Sequence, residues 1–227
     1  MNFLDLCKAL RREAGIAGTG PGSVENQTGK MLDIVQWTAD AYKEICAMRP
    51  AWKFLRTFKT FVTADGDTNE YDIEDDLLIT DLARFDEDAT RIYLDSTADQ
   101  TRLDWFDWRK FRDRYNVFPE GRPTVITRVR AGDTIALNRT PDDAYTLTLD
   151  YWKIAPALAV NADTPLIPER FHMVIVWYAV MNYAGNEITP EIYSHAKSKY
   201  GPLMSSLMLD QGDLPTGLRT FPTTRVR

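Results

Sequence analysis

Hydrophobic residues near the N-terminus recur every three or four positions, a spacing that predicts helices with one buried face. The first helix ends at Gly15, and its apolar positions are Phe3, Leu6, Cys7 and Leu10. The second helix is predicted to be capped by Ser23 and stopped by Pro50. Its apolar positions are Met31, Ile34, Trp37, Ala41, Ile45 and Met48. Two one-sided helices therefore open the chain.

The helical period returns towards the C-terminus. The proline-containing stretch Asp163–Glu169 predicts the entry into a third helix, which runs to about Ala184. Thr189 and Pro190 then open a fourth helix, which Pro202 is expected to bend. The apolar face of this helix contains Tyr193, Ala196, Tyr200, Leu203 and Leu207. A second helix pair is thus predicted at the end of the chain.

Between the helix pairs the period changes to two, and β-branched and aromatic residues predominate, which predicts strands. Residues 57–63 and 69–73 flank Ala64-Asp65-Gly66-Asp67, a turn sequence that predicts a β-hairpin. A further strand at the edge of the sheet is predicted at Arg91–Asp95.

A second hairpin is predicted from residues 124–130 and 134–138, which are joined across Ala131-Gly132-Asp133. Residues 145–151 alternate between apolar and polar side chains. We expect them to complete a three-stranded antiparallel meander with this hairpin.

A short amphipathic helix lying on the sheet is predicted at Leu103–Tyr115. It combines Trp105 and Trp108 with Arg109 and Arg112. Such residues can stack on nucleic acid bases or form a protein interaction face, whereas aromatic packing on the sheet is the purely structural interpretation. These four residues are the candidate interaction face.

The elements together predict an α+β fold. A four-helix bundle is expected from residues 1–54 and 165–211, with residues 55–164 as a β-rich antiparallel insertion between its two halves. Residues 212–227 contain few apolar groups and are expected to form an extended C-terminal tail that does not fold alone.

Composition narrows the classes of function. The chain has 33 acidic and 27 basic residues and a net charge of −6, which argues against a surface that neutralises nucleic acid phosphates. Its most apolar run, Phe171–Ala184, is shorter than the roughly 20 residues of a membrane span. We expect no membrane segment and no signal peptide. Cys7 and Cys46 lie on predicted helices and are expected to be buried thiols in a reducing compartment.

The chain offers little catalytic chemistry. His172 and His195 lack the spacing of a metal site and are expected at surfaces or interfaces. The spacing from Asp65 to Asp76 resembles a calcium loop, yet Glu70 stands where such a loop needs glycine, so a turn is favoured. Acidic clusters in loops leave a carboxylate-based envelope hydrolase as a remote alternative. We expect no enzyme activity, no metal and no cofactor.

The order of the segments is more specific than any one of them. The characteristic stretches are Trp52–Leu55, Phe58–Gly66, Asn69–Ile73, Gly132–Pro141, Leu147–Trp152 and Asp163–Glu169. Together with the opening helices, they resemble the head-to-tail adaptor (connector) proteins of tailed bacteriophages, especially the short-tailed type. The resemblance covers nearly the whole chain. It rests on the order and spacing of the segments, because a helix pair, a β insertion and a second helix pair form an uncommon order.

The resemblance implies a structural virion protein. It implies a homo-oligomeric ring, usually a dodecamer, that lies under the portal protein and connects the DNA-filled head to tail nozzle or fibre proteins. Genomic DNA is then only passing cargo in the lumen during ejection, and an acidic ring does not grip its phosphates. The protein is expected to be made in the host cytoplasm and to reside in the virion neck. Another neck or tail component, such as a tail-tube or tail-completion protein, is the alternative.

The C-terminal tail is the predicted contact with the portal or a neighbouring adaptor. Leu218 and Phe221 offer apolar anchors, while Arg219, Arg225 and Arg227 give the tail the opposite charge to the acidic body. We expect it to be disordered in the free subunit and ordered in the assembled particle. A frayed, inert terminus is the alternative.

Overall fold

The computed structural model describes residues 1–63, 66, 68–97, 99–129 and 134–212, and these form an α+β fold, as predicted. Its helices are α1 (Phe3–Glu13), α2 (Lys30–Ala47), α3 (Trp108–Arg114), α4 (His172–Asn186) and α5 (Pro190–Gln211), with 3-10 turns at Lys53–Leu55 and Glu169–Phe171. Its strands are β1 (Arg56–Val62), β2 (Glu70–Asp72), β3 (Leu82–Phe85), β4 (Arg91–Leu94), β5 (Thr101–Arg102), β6 (Asp104–Trp105), β7 (Val125–Val129), β8 (Thr134–Leu137) and β9 (Tyr145–Lys153).

The chain divides into two compact units. The helical unit consists of Met1–Phe54 and the described residues from Ala155 onward. The second unit is Leu55–Ile154 and contains every strand together with α3.

Helix α4 is the central element of the helical unit and contacts α1, α2 and α5. It is apolar around most of its circumference, which suits a helix covered from several sides. Its buried residues are His172, Val174, Ile175, Val176, Trp177, Ala179, Val180, Tyr183 and Ala184. Helices α1 and α2 also pack on each other, whereas α5 packs mainly on α4.

This arrangement corrects one prediction. A four-helix bundle is not supported, because the contacts are organised around one buried helix rather than passing from each helix to two neighbours. The helices are also not confined to the ends of the chain, since α3 lies within the β-rich unit.

The start of α2 differs from its predicted position. Helix α1 follows the predicted pattern, and Asn2 caps it by accepting a hydrogen bond from the Asp5 amide at 2.8 Å. In contrast, Ser23 does not cap α2, which begins only after Gly29. The Asn161 side chain holds this stretch by accepting from the Val24 amide at 2.7 Å. A long-range contact therefore fixes residues that a local cap was predicted to place in a helix.

The strands form two sheets that share one hydrophobic core. In the first sheet, β9 is central, with β1 along one side and β3 and β4 along the other, and β5 pairs with β4. The second sheet has the order β2-β8-β7-β6, and β6 runs parallel to β7. Fully buried residues of both sheets fill the space between them: Ile92, Leu147 and Leu149 from the first, Ile126, Ile135 and Leu137 from the second.

Several strand pairings differ from those predicted. The hairpin of residues 57–63 with 69–73 is wrong, because β1 pairs with β9 and β2 pairs with β8 in the other sheet. Phe61 and Tyr71 instead meet across the core, with ring centroids 4.8 Å apart. The β7–β8 hairpin is confirmed, while its turn at 130–133 lies outside the described residues.

The predicted meander is also wrong, since β9 joins the first sheet and not β8. The strand at Arg91–Leu94 is confirmed, but it lies between β9 and β5 and not at an edge. The insertion is not purely antiparallel, because the β6–β7 pair is parallel. None of the described helices is both long and apolar enough to cross a membrane.

Candidate functional site

The predicted interaction face lies in the β-rich unit, around α3. Asp107 caps this helix, because its Oδ1 accepts hydrogen bonds from the amides of Arg109 and Lys110, both at 3.1 Å. The cap makes α3 begin at Trp108, so the helix is shorter than the predicted Leu103–Tyr115. The preceding residues pair with β7 as strand β6 instead.

The buried side of α3 is aromatic. Phe111 is 1% exposed and stacks on Trp108, with centroids 6.1 Å apart and the ring planes at 13°. Phe118 and Tyr115 pack against the same ring of Phe111, at 6.2 and 5.2 Å. Val125 of the second sheet completes this small core. Packing of aromatic residues on the sheet, the structural interpretation of the sequence, therefore accounts for part of this cluster.

Trp105 is held in place by the sheet. Its indole N–H donates to the Thr90 hydroxyl at 2.8 Å, and its ring packs on Phe85 with centroids 5.3 Å apart. Thr90 is fully buried. The indole N–H of Trp105 is therefore already hydrogen-bonded within the protein. Only the half-exposed ring surface is available to contact a partner.

The outer side of α3 is basic. Arg109, Lys110, Arg112 and Arg114 are exposed, with Asp113 as the only acid within the helix. We call the exposed residues of α3 together with Trp108 the α3 surface. It carries three net positive charges on a chain whose total is −6.

Three of the four cations of the α3 surface lie over aromatic rings. The Lys110 ammonium lies 3.9 Å from the centroid of Phe106, and the Arg114 guanidinium lies 5.8 Å from the same ring. Arg112 lies 5.5 Å above Trp108. Such cation–π contacts restrict long side chains while leaving their charge at the surface. The surface is therefore partly preorganised to meet acidic or aromatic groups.

A cavity of about 230 Å³ adjoins the α3 surface. Its lining comes from three separate parts of the β-rich unit: Ala83, Arg84, Phe85 and Glu87; Trp105, Phe106, Asp107 and Trp108; and Arg128. Trp105 and Trp108 thus line the same cavity, while their role as an interaction face stays a prediction. The contributions of Arg84 and Arg128 were missed, because no local pattern relates strands β3 and β7 to the start of α3.

The other residues considered for catalysis or metal binding have structural roles. Within the described part of the chain, no group of three or more His, Cys, Asp or Glu side chains is placed to hold a metal ion. His172 is buried, not at a surface as predicted, and its Nε2 lies 2.8 Å from the Ile167 carbonyl oxygen. Burial lowers the pKa of His172. His195 is exposed and packs edge-on against Trp177 at 5.6 Å.

Both cysteines are free and buried, as predicted. Burial raises the pKa of Cys7 to about 11 and that of Cys46 to about 12. Their thiols remain protonated at neutral pH and make poor nucleophiles.

The predicted tail residues Leu218, Arg219, Phe221, Arg225 and Arg227 lie outside the described residues, as do Asp65 and Asp67 of the calcium-like spacing. Asn69 of that spacing is used structurally, because its side chain donates to the Leu137 carbonyl at 3.1 Å.

A family model described as SU10 adaptor protein matches residues 1–216, which include every helix and strand described above. Among curated proteins, nothing matches the chain.

Proposed function

Because this chain belongs to the SU10 adaptor protein family, we propose that it forms a ring under the portal of a bacteriophage and connects the DNA-filled head to the tail. The family establishes a structural phage adaptor, a component of the virion that associates with other virion proteins. The ring, its twelve copies, the short-tailed type and the portal as direct partner are our proposals.

The observation that carries this proposal is the extent of the family match. It spans 216 of 227 residues, so the proposal is supported by the chain as a whole and not by one segment. The net charge of −6 agrees with a lumen through which DNA passes without being held, because like charges repel at short range.

We assign different contacts to the parts of the chain. The helical unit, Met1–Phe54 with the described residues from Ala155 onward, is proposed as the ring body. The β-rich unit, Leu55–Ile154, is proposed as the part that meets tail nozzle or fibre proteins. The proposed docking point for such a protein is the α3 surface, which includes Trp108, Arg109 and Arg112, together with the neighbouring Trp105. Its charge favours an acidic partner surface.

The C-terminal tail of residues 212–227 is the proposed contact with the portal or a neighbouring adaptor. Its anchors are Leu218 and Phe221, and Arg219, Arg225 and Arg227 supply its charge. At roughly 3.3 Å per residue, sixteen extended residues span on the order of 50 Å, enough to reach another chain. We further propose that the isolated protein associates weakly and closes into a ring only on a portal template.

Cryo-electron microscopy of the virion neck tests the assignment directly. We expect a ring of this chain between portal and tail, and its location in the tail tube would support the alternative neck or tail component instead. Sedimentation of the purified protein tests the template requirement. A stable twelve-subunit ring without portal would contradict that part alone.

Portal binding by tail variants tests the docking role. Deletion of residues 214–227 should weaken binding to portal particles at least about tenfold, which corresponds to about 1.4 kcal/mol. Alanine at Thr223 and Thr224 is the matched control, because it changes the tail without removing an anchor or a charge. If the deletion variant binds as tightly as the unmodified chain, the tail does not dock.

A further inference from the structure

Strand β1 has an unpaired edge. It is the outermost strand of the first sheet, and within the described residues it pairs only with β9. The pairing runs in register from Arg56 opposite Trp152 to Val62 opposite Thr146. Seven residues of open edge are long enough to accept another strand.

The alternation of hydrogen-bonded pairs between β1 and β9 shows which backbone groups of β1 face the open edge. The Thr63 amide donates to the Tyr145 carbonyl at 2.8 Å, which makes this a hydrogen-bonded pair of the antiparallel ladder. Because such pairs alternate, every second residue before Thr63 also bonds to β9. The backbone N–H and C=O groups that point to the open side belong to Arg56, Phe58, Thr60 and Val62.

These outward-facing residues also carry exposed apolar side chains. Phe58 is 64% exposed and Val62 is 55% exposed, on the face of the sheet away from the core. A free backbone edge beside exposed aromatic and β-branched groups is a typical template for strand addition.

The sequence at the start of β1 recurs in the C-terminal tail. Residues 218–223 read Leu-Arg-Thr-Phe-Pro-Thr, and residues 55–60 read Leu-Arg-Thr-Phe-Lys-Thr. Five of six positions are identical, and the difference is Pro222 in place of Lys59. The repeated segment belongs to the C-terminal tail, so the tail has the composition of a strand that is already accommodated in this sheet.

We propose that residues 218–223 of one copy add an antiparallel strand to the open edge of β1 in a neighbouring copy, with Phe221 opposite Phe58. This inference rests on the proposed self-association and names the surface that receives the tail. In this register, the backbone of Phe221 bonds to Phe58, while Pro222 stands opposite Thr57 at a position that needs no N–H. The proline is thus placed where an added edge strand tolerates it.

Side chains favour this register over its neighbours. Phe221 beside Phe58 forms an aromatic cross-strand pair on the exposed face. On the inner face, Leu218 comes beside Phe61, which already packs against Tyr71 of the second sheet. A shift by two residues that sets Phe221 opposite Thr60 would bring Arg225 opposite Arg56, and like charges directly opposite are unfavourable.

Disulfide trapping between two full-length variants tests the pairing. Lys59→Cys in one copy and Thr220→Cys in the other are opposite at a non-hydrogen-bonded position, where Cβ atoms approach closely. Mild oxidation of the mixture should give a linked dimer at least about tenfold faster than Thr101→Cys mixed with Thr220→Cys. Thr101 is the matched control, because it is an exposed threonine on β5 of the same sheet.

Three results would overturn the proposal. These are no linked dimer, equal rates with Thr101→Cys, or a dimer of Lys59→Cys alone, which would indicate β1 pairing with β1 of a second copy. The experiment is done in solution without portal, and oxidation traps even weakly associated copies. If the protein does not bind portal but the cross-link forms, the strand pairing stands and the proposed function fails. If a ring forms on the portal but the cross-link does not, only the strand pairing fails.

Hydrogen exchange gives an independent readout on the full chain. The amides of Phe58, Thr60 and Val62 should exchange more slowly in the unmodified chain at high protein concentration than in Phe221→Asp. Phe221→Leu keeps an apolar anchor and should retain most of the protection. Identical exchange in the three proteins would contradict strand addition.

Discussion

Asn138 is expected to be a major source of stability in the β-rich unit, at the point where β8 ends beside the start of β7. Its side chain is 5% exposed, and its Oδ1 accepts hydrogen bonds from the amides of Thr124 and Val125, both at 2.9 Å. Its Nδ2 donates to the Thr124 hydroxyl at 3.1 Å. One side chain thus satisfies two successive backbone donors.

Asn138→Ala removes the acceptor from both donors. The Val125 amide is buried and is left without a partner, which costs about 1–3 kcal/mol, whereas the Thr124 amide lies at an exposed residue and loses about 1 kcal/mol. We expect a loss of about 2–4 kcal/mol in the free energy of unfolding. With a urea dependence of about 1.5 kcal/mol/M, the unfolding midpoint should fall by roughly 1–3 M.

The assay is urea unfolding followed by circular dichroism, with hydrogen exchange at the Val125 amide as a local readout. Asn138→Asp is the matched control, because its carboxylate keeps an acceptor for both amides and the Thr124 hydroxyl can donate to its second oxygen. The two amide donors offset the added charge. We expect it to lose less than half as much stability as the alanine variant. A loss under about 0.5 kcal/mol in the alanine variant, or an aspartate variant as unstable as the alanine variant, would contradict this role of Asn138.

Three further outcomes are expected. Charge reversal of Arg109 and Arg112 to glutamate should change the free energy of unfolding by less than about 1 kcal/mol, since both are exposed. It should reduce attachment of tail proteins to adaptor-bearing particles. Unchanged attachment would exclude the α3 surface as a docking point. Burial raises the pKa of Tyr151 to about 12, so the folded protein keeps a proton that the unfolded chain releases near pH 10. The free energy of unfolding should therefore fall between about pH 10 and pH 12. Urea unfolding at each pH should show a less steep fall in Tyr151→Phe. Cys7 and Cys46 should resist maleimide in the native protein and react once urea unfolds it; rapid native labelling would contradict their burial.

The residues of the candidate interaction face were chosen from sequence, but their surroundings could not be. Trp105, Trp108, Arg109 and Arg112 were proposed because aromatic and basic residues are mixed in one short segment. The structure adds that Trp105 is bound to Thr90, fifteen residues earlier, and that a cavity adjoins the segment. Those contacts depend on which strands become neighbours, and no local spacing encodes that.

The sequence by itself determined the fold class and most of the longer elements. The three-to-four-residue spacing of apolar groups predicted α1 and the two C-terminal helices. Runs of β-branched and aromatic residues predicted β1, β7 and β8, and alternation predicted β9. It did so because helix and strand geometry impose their periods on neighbouring residues, whatever the rest of the chain does.

Only the tertiary structure decided which elements meet. The turn-like sequence of residues 64–67 favoured pairing of β1 with β2. In the structure, β1 pairs with β9, about ninety residues later in the chain. Pairing with β9 lets Phe61 face Tyr71 across the core and leaves Phe58 exposed. Likewise, α2 begins after Gly29 and not at the predicted Ser23 cap, and Val24 is held by a hydrogen bond to Asn161, far along the chain. Apolar burial is nondirectional, so a local pattern specifies which face of an element must be covered, while the partner that covers it is selected by the packing of the whole unit.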